Sequence, residues 1–471
     1  MMYLFLILLF SFIIQIFPRI GYSDNGIDLY RWLLYAKKIR ENNYKLPQYI
    51  DKYIVKARFS YPPVLLIFMS YFSQKFLDRF NYLISPFFSI IENIALFTIV
   101  YWISDNINVA LVSSIVYVST SANILENMFL GTRSAGQLVY FIATIALLGY
   151  LHYDLNPIWF VLGNILILLT HRMSSQLMLI TSFVFALAYG DVLILFYFIF
   201  SIILTIILSK GFYFQVLKGH IIQVKFWYKQ ITKNANKIKL SPLDFFKNVF
   251  LRNTFIFLAL YYGYISDLDV VDVSLLLLFI LIIMMSILTT FIKPLRCIGE
   301  GSRYVAFATP FIAMFIAIKF ESEYYLLLSF VLVSLLPALY KQYIFSNNKL
   351  DASTNSYLTK EVKYFLDSFF EKNNNKEVKF MSYPPNLDDY VAYKYKNSRV
   401  MFHDNGFALK YCYIPPFNSN YRSVDVLDMI FKNKIDLFVS LTNFELDGFS
   451  CIEVNNVYLH YQSYPKLATR E

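Results

Sequence analysis

Residues 273–292 read VSLLLLFILIIMMSILTTFI, twenty positions without a charge. About 20 apolar residues are what a helix needs to cross a hydrocarbon core roughly 30 Å thick, so this stretch decides the class: the chain spans a membrane. Comparable runs recur at Met1–Phe17, Leu83–Ile103, Val109–Ala122, Leu138–Leu151, Trp159–Leu169, Leu177–Ala188, Val192–Leu208, Thr254–Ile265, Tyr304–Ile318 and Tyr324–Tyr343. They predict about eleven spans. Composition agrees, with 471 residues, 57% hydrophobic and 16% charged, and a mean hydropathy of +0.49, values outside the soluble range. Met1–Phe17 has no charged leader and no small-residue cleavage site, so it reads as an uncleaved first span. Val64–Phe76, after Tyr61-Pro62-Pro63, is short for a crossing and suits a juxtamembrane or re-entrant helix.

After Tyr343 the apolar stretches shorten. Strand-like runs (Val378–Met381, Arg399–His403, Ile435–Ser440, Val457–Gln462) alternate there with helix-like ones (Ser356–Glu371, Val424–Lys432). The expected architecture is therefore an α-helical polytopic membrane domain, residues 1–343, followed by a small soluble α/β domain, residues 344–471. Three connections exceed what a bundle needs, a first loop at 18–62, a second at 209–253 and a shorter charged turn at Lys293–Arg303, and long ordered loops on such proteins usually carry function.

The net charge is +10, from 42 Lys+Arg against 32 Asp+Glu. From Ser346 onward there are 15 basic and 15 acidic residues, so that part contributes nothing. Residues 19–58 hold 9 basic and 4 acidic, and residues 210–252 hold 9 basic and 1 acidic. An excess confined to two loops between spans points to membrane lipids or a phosphorylated lipid, and away from nucleic acid, for which no RNP, helix-turn-helix or OB pattern is present. Three cysteines exclude a disulfide scaffold or a zinc ribbon; Cys412 and Cys451 could pair in an extracytoplasmic domain.

Four polar clusters interrupt the apolar pattern. Asp24 and Asp28, four apart after the first span, share a face if helical; alternatively Ser23 or Asp24 caps a helix and Asp28 is merely solvated. Glu126 and Arg133 flank Gly131. Thr170-His171-Arg172 leads to Gln176, with a structural helix-end histidine as the plain alternative. Gly299-Glu300-Gly301-Ser302-Arg303-Tyr304 either clamps an anion through Arg303 or is a tight turn with a snorkelling arginine. If Val64–Phe76 does not cross, span counting puts all four clusters, the basic loop and the C-terminal domain on one face.

These elements, in this order, resemble the GT-C class of membrane glycosyltransferases: Asp24 and Asp28 in a long first loop, Lys45-Leu46-Pro47 leading to Tyr61-Pro62-Pro63, Thr132-Arg133-Ser134-Ala135-Gly136, Thr170-His171-Arg172 and Gly299 through Tyr304. The resemblance covers residues 1 to 343. It implies a polyprenyl phosphate or pyrophosphate sugar donor, a glycan, lipid or protein acceptor, and an acidic residue of the first extracytoplasmic loop as base or metal ligand. By position Asp24 matches that carboxylate, with Asp28 as its competitor. The first loop holds no DxD pair, so a divalent metal is possible but not indicated. Glu126, Arg133, His171, Arg172, Lys225, Lys229, Lys233, Glu300, Arg303 and Tyr304 are candidates to hold the substrate and its phosphate.

A flippase for lipid-linked glycans, or a polysaccharide polymerase or ligase, would use similar cations, although no repeat of the transporter kind is evident. The positive-inside rule opposes the outward placement of the basic loops, since the opposite turns carry Asp105, Asp154, Asp191, Asp267, Asp269 and Asp272.

Overall fold

The computed structural model describes residues 2–17, 20, 28–233, 246, 249–299, 301–320, 323–346, 358–383, 385, 387–412 and 423–462. It is helical through Ser346 and closes with a five-stranded sheet. Among the described residues five helices are long and apolar enough to cross a membrane: Gln74–Ser104, Thr132–His152, Val270–Phe291, Gly301–Lys319 and Tyr324–Tyr343. Leu193–Leu208 and Phe212–Ile231, bent by 119°, make a sixth if the pair is one span. Against the eleven expected, four other apolar helices, Phe5–Gln15, Ile107–Ser119, Ile158–Thr170 and Phe255–Ile265, are only 10–17 residues long. At 1.5 Å per residue, 13 residues reach about 20 Å, less than the hydrocarbon thickness, so apolar runs and full-length crossings do not map one to one.

The helices are numbered in chain order: α1 Met2–Gln15, α2 Leu29–Glu41, α3 Val64–Ser70, α4 Gln74–Phe80, α5 Ile84–Ser104, α6 Ile107–Ser119, α7 Ser121–Glu126, α8 Thr132–His152, α9 Ile158–Thr170, α10 Arg172–Tyr189, α11 Leu193–Leu208 and α12 Phe212–Lys233. Then follow α13 Phe255–Ile265, α14 Val270–Phe291, α15 Val305–Lys319 and α16 Tyr324–Ser346. α15 is the hub of the bundle. Every side chain from Val305 to Ala317 is buried, which is why this helix is apolar around its whole circumference. α8 and α9 cross closely because Gly163 faces Ala143: a Cβ on Gly163 would lie 2.7 Å from that of Ala143.

α3 has seven residues, about 10 Å, and does not cross. The bundle therefore has two distinct polar ends. At one, Asp269 and Asp272 form a capping box on α14, Lys319 pairs with Asp272, and the Lys319 ammonium donates to the Asp267 carbonyl at 2.8 Å. At the other end of α14, the Ser286 hydroxyl donates to the Gly301 carbonyl at 2.8 Å, and there the candidate clusters gather.

The C-terminal part contains α17 Lys360–Lys372, α18 Asp388–Lys394, α19 Leu409–Cys412 and α20 Ser423–Asn433. Its strands are β1 Val378–Tyr383, β2 Ser398–Val400, β3 Leu437–Ser440, β4 Phe449–Val454 and β5 Val457–Gln462, in the order β2-β1-β3-β5-β4. β1 pairs in parallel with β2 and β3, while β5 is antiparallel to β3 and β4. β4 is a strand the hydropathy pattern did not single out. The signal lies in the turn after it, where Asn455 and Asn456 both take positive φ (51° and 61°), as a two-residue hairpin turn requires. Cys451 on β4 is an exposed free thiol, and the side chain of Cys412, its expected partner, lies outside the described residues.

The first loop is not a separate appendage of the bundle. Ile54 N–H donates to the Val400 carbonyl at 2.9 Å and Val400 N–H to the Lys52 carbonyl at 2.8 Å, extending the sheet beyond β2. The Lys52 ammonium, itself buried, donates to the carbonyls of Tyr395, Lys396 and Ser398. Leu29, Leu33, Leu34 and Ile39 of α2 join Leu366 and Phe370 of α17, Phe380 of β1 and Val391 of α18 in one apolar core that also takes in Leu65 and Leu66 of α3 and Leu130 before α8. That shared core fixes the C-terminal sheet over one end of the bundle.

Candidate functional site

α2 places the first group. Asp28 immediately precedes it, and its side chain makes no capping hydrogen bond. Half-exposed, it instead accepts from Arg31 at 3.0 Å, one helical turn on. Arg31 is buried and uses the rest of its fork on two distant carboxylates: Nε to Asp389 at 2.9 Å and Nη1 to Asp404 at 2.7 Å. The Tyr53 hydroxyl donates to the other Asp389 oxygen at 2.8 Å. Burial works against the Arg31 charge, but Asp389, Asp404 and Asp28 outweigh it and keep the guanidinium firmly protonated. Three carboxylates around one cation leave this side of the site negative.

Asp404 turns its second oxygen towards Gln223 of α12, whose amide donates at 3.4 Å. The Gln223 carbonyl in turn accepts from Arg172, which also donates to the Ser60 carbonyl and lies over the Tyr61 ring, 4.9 Å from its centre. A continuous hydrogen-bonded chain thus runs Arg172, Gln223, Asp404, Arg31, Asp28, from a cationic side to an anionic one. Close packing allows it. Asn405 donates to the Arg58 carbonyl at 2.8 Å, and the neighbouring Gly406 sits so tightly against the Gly219 carbonyl that no Cβ fits.

On the cationic side, His171 caps α10 through Ser174, with its Nδ1 3.0 Å from the Ser174 hydroxyl. Burial, then the charges of Arg133, Arg303 and Arg172, hold this imidazole well below its ordinary value, so it is neutral. The charges of three arginines from three separate sequence clusters are therefore felt at one residue. Gly136 permits it, since a Cβ there would stand 2.6 Å from the His171 Cβ and from the Ser174 hydroxyl. The Tyr61 hydroxyl lies 2.7 Å from that of Thr132, which seats the first loop against the start of α8.

Other candidates fall as follows. Asp24 and Glu300 lie outside the described residues, as does the side chain of Lys233. Glu126 is ion-paired with Arg133 and, at 3.3 Å, with Arg252. Arg303 is exposed at the end of the Gly301–Arg303 turn, while Tyr304 is fully buried. Lys225 and Lys229 are exposed, on the face of α12 opposite Gly219 and Gln223. Among the described residues no three His, Cys, Asp or Glu side chains gather as a metal site.

Arg31, Tyr53, Gln223, Asp389 and Asp404 were not legible as site residues. Only Arg31 carried a local signal, its i+3 spacing from Asp28 at the start of a helix. The others are brought in by docking of the C-terminal sheet and by the turn after α11.

No family model matches the chain, and no curated protein matches it in sequence. Among solved structures, the oligosaccharyltransferase of Archaeoglobus fulgidus in its apo form is similar, with a TM-score of 0.55 and 11% identity, covering 93% of this chain and 69% of that one. At this identity the likeness is one of fold. It extends over the helical part and the C-terminal sheet alike.

Proposed function

We propose that the chain is a membrane glycosyltransferase that moves a sugar from a polyprenyl phosphate or pyrophosphate lipid to an extracytoplasmic glycan, lipid or protein acceptor, in the plasma membrane. The observation that carries this is the hydrogen-bonded, polarised chain from Arg172 to Asp28, and the charges of Arg133 and Arg303 act with that of Arg172 on His171 at its cationic side. The fold likeness to an oligosaccharyltransferase supports the same class.

The chemistry needs both sides. The acceptor oxygen attacks the anomeric carbon, its proton passes to a carboxylate, and the bond from that carbon to the phosphate oxygen breaks with inversion. Asp28, half-exposed beside α2, or Asp24 upstream of it takes the proton. The phosphate stays with the lipid and gains negative charge, which Arg172, Arg133 and Arg303 offset in a site that is partly closed to water. A transporter of lipid-linked glycans is the alternative reading if α11 and α12 form one broken span, since discontinuous helices mark transport sites.

The deciding experiment supplies purified protein in nanodiscs with a labelled polyprenyl-phosphate sugar and an acceptor mixture. Release of polyprenyl phosphate coupled to a labelled product is expected, with loss of turnover but retained donor binding in Asp24→Asn or Asp28→Asn. Movement of intact donor between leaflets without cleavage overturns the transferase assignment. Full turnover in both variants removes the first-loop carboxylates from the chemistry.

A further inference from the structure

α12 departs from α11 through Lys210 and Gly211, both at positive φ (50° and 82°), and the two helix axes differ by 119°. If α11 stands along the membrane normal, a helix leaving it at that angle lies within about 30° of the membrane plane. One side of α12 is spent on the site, with Gly219 against Ser60 and Gly406, and Gln223 between Arg172 and Asp404. The opposite side is an exposed stripe of Phe214, Lys218, Ile221, Lys225, Tyr228 and Lys229. Their spacings of four, three, four, three and one keep them within about a quarter of the helix circumference. Phe214, Ile221 and Tyr228 are 57%, 46% and 50% exposed, a poor state for large apolar groups in water. Over its 22 residues α12 carries four lysines and no Asp or Glu.

We propose that this stripe is a docking surface for the anionic phospholipid headgroups of the surrounding bilayer. Apolar side chains reach the acyl boundary while lysines one turn away hold phosphates, the pattern of a helix lying in the membrane interface. An acidic protein partner would satisfy the lysines but leave Phe214 and Ile221 without an apolar layer. A neutral apolar partner would set the ammoniums of Lys218 and Lys225 against an uncharged surface. The assignment is independent of whether the chain transfers sugar, because none of the six residues lies in the chain from Arg172 to Asp28.

The test uses the full chain with Cys297, Cys412 and Cys451 changed to Ser and a fluorophore placed through Ile221→Cys. It is reconstituted in nanodiscs of phosphatidylcholine alone or with phosphatidylglycerol, each containing a nitroxide lipid. Quenching is expected to be stronger with phosphatidylglycerol and to weaken as salt rises. Replacing Lys218, Lys225 and Lys229 together with Gln should abolish the difference in quenching between compositions, whereas Arg at all three positions should retain it. Equal quenching in both compositions, or quenching untouched by the Gln variant, overturns the assignment. So does a label shielded in both compositions by a particle of doubled mass, which would give the stripe to a second copy of the chain.

Discussion

Arg31 and Asp404, 373 residues apart in the chain, are joined by a 2.7 Å ion pair at the point where the first loop meets the C-terminal sheet. Arg31 also holds buried Asp389, so the one guanidinium pairs with carboxylates from two C-terminal segments. Arg31→Met strands Asp389 without a counter-charge. A loss of about 3–5 kcal/mol is expected, read as a lower melting temperature and faster proteolysis of the C-terminal part. An unchanged melting curve would mean that the pair contributes nothing to docking.

Gln223 is the single neutral link between the cationic and anionic sides. Gln223→Leu keeps the volume of the side chain and removes both hydrogen bonds. Folding should survive, since α12 retains its packing, and transfer should fall by about tenfold or more, equivalent to about 1.4 kcal/mol of activation free energy. The sugar-transfer assay decides, and wild-type turnover would show that the two sides act separately.

Two buried groups of the C-terminal part give opposite pH dependences. Burial pushes the Asp388 carboxyl from 3.8 up to about 7 against the Ser382 hydroxyl and the amides of Phe402 and Ser382. The folded state therefore holds a proton that the unfolded chain has lost between pH 3.8 and about 7, and stability falls as pH rises through that window. Burial, then the Arg31 charge, presses His403 from 6.5 down to about 3. Here the unfolded chain binds the extra proton, so stability rises with pH from about 3 to 6.5. His403→Phe, which keeps the stack on Tyr53, should weaken the rising limb, and Asp388→Asn the falling one. Urea titrations across pH test both, and identical pH profiles for the two variants would refute the assignment of either group.

Gly136→Ala tests the approach of α8 to the His171 turn. The added methyl meets the His171 Cβ and the Ser174 hydroxyl at 2.6 Å, so the turn must move. Overpacking of this kind costs about 1–3 kcal/mol. Gly163→Ala, crowding Ala143 midway along the bundle, is the control: both should lower the melting temperature, but only Gly136→Ala should also weaken binding of the lipid donor. Equal effects on binding would separate the His171 cluster from the donor.

Orientation is tested by single cysteines at Lys229 and Asp267, both exposed and at opposite ends of the bundle. Asp267 serves better than Asp269, whose side chain caps α14. An impermeant thiol reagent on intact cells should label position 229 alone. Labelling of position 267 alone would follow the positive-inside rule and place the site in the cytoplasm.

Hydropathy was legible where it is a local property. The run 273–292 lies within α14 and the residue following it, and the four strands expected from short β-branched and aromatic runs each overlap an observed strand. It misled where length matters, because α6 and α9 are apolar but only 13 residues long. The arginine clusters were likewise readable one by one, as charges interrupting apolar sequence. Their convergence on His171 was not, since it depends on how α8, α10 and the turn before α15 pack.

By itself, then, the sequence determined that the chain belongs in a membrane, that an α/β part follows the bundle, and which short segments carry charge among apolar neighbours. Each of these follows from the free energy of moving side chains out of water, a quantity summed over nearby residues. Only the tertiary structure decided that the first loop shares a core with the C-terminal sheet, that Arg31 meets Asp389 and Asp404, and that Gln223 bridges Arg172 to Asp404. A buried charge must find its partners wherever packing delivers them, and no local pattern records a partner more than 350 residues away.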